Sequence, residues 1–182
     1  MSNQDGRVLR SVKSQKLIVG AYIKLLRAGT MEPTAQMVAD KSRIGIRTVF
    51  RQFDDMENLL KSVDAELSKD YNFDVKFDPI SSFEDRLAIA INHFNSGYKK
   101  HRLIMFATAS NMWKYKFLEK NYMNYQKIIR TKTEEVLPEV LNFDSELQEL
   151  THATLSFAFW TRLHGQGLKK DQIKSAMIRQ CM

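Results

Sequence analysis

The segment that decides the fold is Val38-Ala39-Asp40-Lys41-Ser42-Arg43-Ile44-Gly45-Ile46-Arg47-Thr48-Val49-Phe50-Arg51-Gln52-Phe53. The pattern predicts a short helix that ends near Arg43 and a second helix over about residues 45–52, with Val49 and Phe53 one turn apart. We expect Thr34 to cap the first of these helices, because a threonine hydroxyl accepts hydrogen bonds from the free amides of a first turn. Two short helices therefore follow each other across a tight turn.

A longer helix precedes this pair, and a fourth helix follows it. Apolar residues at intervals of three and four predict the first helix over about 10–28, with Gly29 as its C-cap. Asp54 and Glu57 form a capping-box pattern at the start of the fourth helix. Three compact helices with a short turn between the second and third predict a helix-turn-helix, which lays its third helix in the major groove of DNA.

The second half of the chain also has helical periodicity. It predicts a helix over about 82–100, two helices within 102–137 that Pro138 ends, and a long helix over 145–164. Ser145 and Gln148 form a capping-box pattern at the start of that long helix.

Only 7 Gly and 3 Pro punctuate the 182 residues, and a cluster of Asn, Asp and Pro over 70–79 marks a domain boundary. The predicted fold class is all-α, with an N-terminal three-helix helix-turn-helix DNA-binding domain and a C-terminal helical bundle. The N-terminal domain spans 1–68, including the start of helix 4, and the C-terminal domain spans 69–182.

The charge of the chain favours an anionic partner. There are 28 Lys and Arg against 21 Asp and Glu, a net charge of +7 at pH 7. Residues 1–27 alone contain six basic side chains against the single carboxylate of Asp5, and a phosphate backbone attracts such a segment. A solvated basic tail is the alternative, and charge alone does not separate the two.

The composition excludes several classes of protein. A chain with 43% apolar and 27% charged residues is globular rather than disordered. Cys181 is the single cysteine, so an internal disulfide is excluded and a reducing compartment fits best. No apolar stretch approaches the roughly 18 residues that span a bilayer. We therefore expect a cytoplasmic protein that does not bind a membrane.

Residues 38–53 resemble, without a gap, the signature of TetR-family transcriptional regulators. The family pattern is roughly I-A-x-x-A-G-V-S-x-G-T-L-Y-x-H-F. It places its Thr, Leu, Tyr and closing Phe on Thr48, Val49, Phe50 and Phe53. The resemblance in motifs covers about residues 10–68, while beyond residue 80 only the number, length and order of helices agree.

The resemblance implies that the third helix contacts DNA. We expect Ile44, Val49 and Phe53 to face inward, and the opposite face to expose Ile46, Arg47, Thr48, Phe50 and Arg51. Arg47 or Arg51 is expected to reach O6 and N7 of a guanine. Phosphate contact or simple exposure is the alternative for either arginine. The hydroxyls of Thr34 and Thr48 are candidates for phosphate hydrogen bonds. The predicted DNA-binding residues are Thr34, Arg43, Gly45, Ile46, Arg47, Thr48, Phe50, Arg51 and Gln52.

The chain departs from the family pattern at four positions. Arg43 replaces the turn glycine and is strained if its φ is positive. Gly45 replaces the usual capping serine. Phe50 lacks the phenolic hydroxyl that commonly touches phosphate in the family, and Met56 stands where a lysine often opens helix 4. Arginines within the same segment supply positive charge near the two lost contacts.

The same resemblance implies that residues 81–182 bind an effector and form a dimer. Methionine and aromatic side chains, which are abundant here, line apolar ligand pockets but also fill ordinary cores. We expect a small apolar or aromatic effector. The candidate ligand-binding residues are His93, Met105, Phe106, Asn111, Met112, Trp113, Phe117, Tyr122, Tyr125, His152, Phe157 and Trp160.

The predicted helix over 145–164 is apolar on several faces, which favours burial against a second subunit. We expect a homodimer formed through a four-helix bundle, bound to a palindromic double-stranded DNA operator. Its half-site centres are expected about 34–36 Å apart, or a multiple of that distance. An effector that prefers the mismatched spacing releases the DNA. The predicted function is a ligand-responsive transcriptional regulator, and we expect a repressor.

The sequence lacks the common catalytic motifs. It contains no His-Glu-x-x-His, no Gly-x-Ser-x-Gly and no glycine-rich phosphate loop, so we expect neither enzymatic activity nor a cofactor. His93 and His101 are about two helical turns apart, too far to chelate one ion alone, and no metal site is predicted. The alternative function is a TetR-like dimer that lacks operator binding and acts through a protein partner. Arg43, Phe50 and Met56 motivate that alternative.

Overall fold

The computed structural model describes the backbone of residues 3–182 and the side chains from residue 6 onward. This part of the chain is helical and contains no β-strand, so the predicted all-α class is confirmed. Two short 3-10 segments, Ser68–Asp70 and Pro138–Asn142, follow α4 and α6. The α-helices are α1 (Asn3–Arg27), α2 (Ala35–Ser42), α3 (Ile46–Phe53), α4 (Met56–Leu67), α5 (Phe83–Asn111), α6 (Lys116–Val136), α7 (Ser145–Thr154), α8 (Phe157–Gly165) and α9 (Lys170–Cys181).

The chain divides into two compact units. The first consists of Met1–Tyr71 and Leu103–Lys120, and the second consists of Asn72–Arg102 and Asn121–Met182. Helices α5 and α6 therefore contribute residues to both units. The first unit includes 103–120, a segment predicted to belong to the second domain. The functional division at residue 68 stays a prediction.

One hydrophobic core holds α1 to α4 together in the first unit. Each helix contributes fully buried apolar side chains, and α5 adds Ile104 and Ala107. Burial of a side chain of this size stabilises the fold by about 1.5–3 kcal/mol, so this shared core fixes how the four helices pack. Its most deeply buried members are Ile18, Val38, Val49, Leu59 and Val63.

The hinge between α3 and α4 differs from the predicted capping box. Asp55, rather than Asp54, caps α4, and its Oδ1 accepts a hydrogen bond from the Asn58 amide at 2.7 Å. Asp54 instead has φ 60° and ψ −51°, and the Asp55 amide donates to the Phe53 carbonyl at 2.7 Å. This is a one-residue γ-turn, a strained connection. The chain reverses within a single residue, which shifts the cap by one position.

Helix α1 begins at Asn3, seven residues before the predicted start at residue 10. Gly6 lies within the helix, and its carbonyl accepts a hydrogen bond from Nε of Arg10 at 2.9 Å. The hydroxyl of Ser14 donates to the Arg10 carbonyl at 2.9 Å. The basic N-terminal residues from Arg7 onward are therefore part of a helix.

The middle of the chain contains one helix fewer than expected. Helix α5 continues to Asn111 rather than ending near residue 100, because neither proline nor a capping residue interrupts it. Only α6 begins within 102–137, so the prediction of two helices there is wrong. Pro138 follows α6 as predicted.

The predicted helix over 145–164 is two helices, α7 and α8. Ser156 interrupts it, because its hydroxyl accepts from the Phe159 amide at 3.3 Å and caps α8. The predicted capping box is also wrong, since Asp144 caps α7 through the Leu147 amide at 2.9 Å. Gln148 donates instead to the Phe143 carbonyl at 2.9 Å. Local hydrogen bonds from short polar side chains thus override the apolar periodicity.

In the second unit, His152 lies in a charged cluster between α6 and α7. Its side chain is 8% exposed, and Nε2 lies 3.3 Å from Oε1 of Glu134. Arg130 pairs with both Glu134 and Glu149, at 3.2 and 2.7 Å. Burial, with a contribution from the Arg130 charge, lowers the pKa of His152, although both carboxylates oppose this shift.

We predict that His152 makes stability depend on pH below neutrality. The unfolded chain takes up a proton near about pH 6.5, while the folded chain keeps this histidine neutral, so stability is lost as pH falls below that value. His152→Gln should reduce the difference in unfolding free energy between about pH 7.5 and about pH 5.5, measured by urea denaturation. His164→Gln, at an exposed site, is the control. An unchanged pH-dependence in His152→Gln would contradict this assignment.

Candidate nucleic-acid interface

The turn between α2 and α3 is a Schellman motif. The Ile44 amide donates to the Ala39 carbonyl at 3.1 Å and the Arg43 amide donates to the Asp40 carbonyl at 3.3 Å, which is the hydrogen-bond pair of that motif. Arg43 occupies the left-handed position, with φ 57° and ψ 33°. Glycine is the residue that usually fits there, so the strain anticipated for Arg43 is present.

The two faces of α3 are sharply different. Val49 and Phe53 are buried, with 2% and 6% of their surface exposed, as expected for residues that pin the helix to the core. Arg47, Phe50 and Arg51 lie on the exposed face, and Phe50 is 42% exposed. The inward face thus sets the rotation of α3 and directs two arginines to solvent.

Three further residues flank the start of α3: Ile44 and Ile46 are half-buried, and Gly45 is exposed. Ile44 and Ile46 pack partly against the core, so the expectation that Ile46 is exposed is wrong. Gly45 supplies no side-chain cap, and its carbonyl accepts from the Thr48 and Val49 amides. The helix therefore starts without a capping hydroxyl, which costs only a few tenths of a kcal/mol when the residue is glycine.

The exposed side of this segment is uniformly positive. Residues 41–53 contain four cations and no carboxylate, and all four cations are exposed. A surface of this kind attracts polyanions such as a phosphate backbone. The four are Lys41, Arg43, Arg47 and Arg51.

The two threonine candidates have different environments. Thr34 is exposed, and its Oγ1 caps α2 by accepting from the Met37 amide at 3.3 Å, as predicted. Its hydroxyl hydrogen remains a donor in that arrangement. Thr48 is half-buried and its Oγ1 lies 3.4 Å from Nη2 of Arg51. Thr34 thus combines a structural contact with a donor suited to an anion.

Gln52 links α3 to α1. Its Oε1 accepts a hydrogen bond from the Ser11 hydroxyl at 2.8 Å. Gln52 was predicted as a DNA-binding residue, but Ser11 was not singled out, because a contact between residues this far apart leaves no local signal in the sequence. The bond fixes the N-terminal part of α1 beside the C-terminal end of α3.

The ligand-binding candidates are divided between the two units. Phe157 and Trp160 stack at 5.9 Å within the second unit's core, where Tyr98 contacts both rings. Tyr125 stacks on Phe73 at 6.0 Å. The other candidates of this unit are His93, which bonds to the Asn72 carbonyl, Tyr122, which accepts from Gln126, and His152, described above.

The remaining candidates lie in residues 103–120 of the first unit. Trp113 is 81% exposed, while Asn111 is buried and donates to the Met31 and Ala107 carbonyls at 3.0 and 2.8 Å. These bonds hold the end of α5 to the turn that follows α1. The other four, Met105, Phe106, Met112 and Phe117, are half-buried.

Among the described residues, Asn111 also lines a narrow cleft of about 30 Å³ in the first unit, together with Tyr22, Asp64, Tyr71 and Thr108. This volume accommodates a water molecule rather than an effector. Burial raises the pKa of Tyr22, whose ring forms one wall. The cleft does not by itself provide a ligand pocket.

No protein-family model matches this chain, and neither a curated protein nor a solved structure matches it. Within the described residues, no three His, Cys, Asp or Glu side chains form a group able to hold a metal ion. Over residues 3–182, none of the helices combines the length and apolar character needed to cross a membrane. Function is therefore inferred from the residues themselves and from the resemblance carried by 38–53.

We predict that Arg43→Gly stabilises the protein. A left-handed conformation costs an L-residue about 1–2 kcal/mol, and glycine avoids most of this cost, so the free energy of unfolding should rise by about 1 kcal/mol in urea denaturation. Arg47→Gly is the matched control, because it removes the same charge from a helical position and should destabilise by about 1 kcal/mol. A loss of stability in both variants would contradict the assigned turn geometry.

Proposed function

We propose that this chain is a DNA-binding transcriptional regulator, similar to TetR-family regulators, that inserts α3 into the major groove. The observation that carries the proposal is the orientation of α3 after the Schellman turn. Val49 and Phe53 are buried, which leaves Arg47, Phe50 and Arg51 on the outer face. In this proposal α2 and α3 form the helix-turn-helix, and α1 supports it.

The dimensions of α3 suit this role. Its eight residues give a helix about 12 Å long, comparable to the width of the major groove, about 12 Å. Arg47 and Arg51 are separated by one turn on the same face, so their guanidinium groups address neighbouring base pairs. Each planar fork matches O6 and N7 of guanine. Phe50, between them, supplies an apolar surface for a thymine methyl group.

In this proposal, residues around α2 contact the phosphate backbone of DNA, which carries no information about base sequence. Lys41 and Arg43 are exposed at the end of α2 and in the turn, and Thr34 presents a hydroxyl at the start of α2. Side chains of this kind position a protein on the phosphate backbone. We assign them, with Gly45 and Thr48, to backbone contacts, and we assign base contacts to the outer face of α3.

We further propose that the protein acts in the cytoplasm as a homodimeric repressor. A two-fold dimer presents two copies of α3 to a palindromic operator. Exposed Leu147 and Leu150 on α7, with nearby Leu141, give the second unit apolar surface that a partner subunit can cover. The release of DNA by a small apolar or aromatic effector rests on the resemblance and on the abundance of Met and aromatic residues after residue 100.

We predict that Arg47→Ala and Arg51→Ala separate base reading from phosphate contact. Duplexes selected from a random library by the wild-type protein provide a bound sequence, and a scrambled duplex is the reference. Loss of a guanine contact should weaken the selected duplex by about 1–3 kcal/mol and relax sequence preference, whereas loss of a phosphate contact weakens both duplexes alike. Affinity is measured by fluorescence anisotropy.

Arg162→Ala, which removes an exposed arginine from α8 in the second unit, is the control and should leave both affinities unchanged. If the wild-type protein enriches no sequence and binds duplex DNA without salt dependence, operator binding is wrong. The protein-partner alternative is then favoured, in agreement with the missing hydroxyl at Phe50. If Arg47→Ala and Arg51→Ala both bind the two duplexes with wild-type affinity, neither arginine belongs to the interface.

A further inference from the structure

The first turns of α1 carry a concentration of positive charge that the α3 interface does not include. Between residues 6 and 31 the chain has six Lys and Arg and no Asp or Glu. Arg7, Arg10, Lys13 and Lys16 are all exposed. We call residues 6–16 the α1 arm.

The α1 arm is an ordered part of a helix. Arg10 Nε donates to the Gly6 carbonyl at 2.9 Å, and α1 continues from Asn3 to Arg27 without a break. Because the same helix enters the core at Ile18 and Tyr22, the direction of the arm is set by the core. The helical backbone that carries its cations is therefore oriented before any partner binds, which reduces the ordering cost of an interaction.

The Ser11–Gln52 hydrogen bond places the arm beside α3. At about 1.5 Å of rise per residue, Arg10 and Lys13 lie within about 3 Å of Ser11 along the axis, and Arg7 within about 6 Å. Arg7 also precedes Ser11 by four residues, so the two share a helix face. The arm thus adds positive charge beside the C-terminal end of α3, next to Gln52.

We propose that the α1 arm is a second DNA contact, in which Arg7, Arg10 and Lys13 bind the phosphate backbone bordering the groove occupied by α3. This inference rests on the proposed function. The arm contributes affinity that is independent of sequence, because Lys and Arg contacts to phosphate neutralise charge and release counterions. DNA is favoured over other polyanions because Ser11 fixes the arm to Gln52, at the edge of the proposed interface.

The experiment compares two triple variants with the same loss of charge. The arm variant is Arg7→Ala, Arg10→Ala and Lys13→Ala. The control variant is Lys99→Ala, Lys120→Ala and Lys127→Ala, which removes three exposed cations from α5 and α6. Circular dichroism verifies that both keep the helical content of the wild type. The probe is a random-sequence duplex of about 30 base pairs, long enough for two half-sites one helical turn apart.

The readout is the slope of log affinity against log salt concentration. Each phosphate contact contributes about 0.9 to this slope, so the arm variant should lose about 2–3 units of slope for each bound subunit, or about 5 units for a dimer, and the control variant less than about 1 unit. A charge-preserving variant, Arg7→Lys, Arg10→Lys and Lys13→Arg, should keep most of the wild-type slope. That result ties the effect to charge rather than to a change in folding.

The outcomes separate the arm from the function on which it rests. If the wild-type protein does not bind the duplex, both the proposed function and the arm contact are wrong. If the wild type binds but the two alanine variants have equal slopes, the arm contact is wrong and the proposed function stands. Val8, Leu9 and Val12 are exposed apolar side chains, so binding to vesicles of anionic phospholipid is measured as the last test. Loss of vesicle binding in the arm variant, with duplex binding unchanged, overturns the proposal.

Discussion

Burial of Val49 and Phe53 is the constraint on which the proposed interface depends. These side chains are one turn apart on α3 and both pack in the core that contains Ile18, Val38 and Leu59. Because α3 has only eight residues, two buried anchors are enough to fix its rotation. The positions of Arg47 and Arg51 on the solvent side are then a consequence of packing. The packing of the core thus determines which side chains of α3 are exposed.

The α2–α3 segment could be predicted from the sequence because its determinants are local. Thr34 caps α2, Val49 and Phe53 are spaced by one turn, and Arg43 stands where the turn requires a left-handed residue. Each feature depends on neighbours within a few residues, so a single pattern contains the information. The all-α class followed for the same reason, since helical periodicity is a local property.

Other features could not be predicted, for two physical reasons. Where two short polar residues are adjacent, the backbone conformation of the turn determines which one caps the helix, so Asp55 caps α4 in place of Asp54. A single capping side chain can also interrupt an apolar pattern, as Ser156 does at the start of α8. Contacts between distant residues leave no periodic trace. The Ser11–Gln52 bond and the bond from Asn111 to the Met31 carbonyl belong to this second group. The Asn111 bond joins residues 103–120 to the rest of the first unit.

Arg43 is the position where local stability and charge conflict. A glycine would relieve its positive φ, yet an arginine there adds a cation to the exposed side of residues 41–53. Sites where a sequence departs from the locally preferred residue are commonly functional, because the energetic cost persists only when another gain offsets it. The departure adds charge at the turn, beside α3, whose Phe50 has no phenolic hydroxyl. In the proposed DNA interface, the Arg43 cation would take over the phosphate contact for which Phe50 has no hydroxyl.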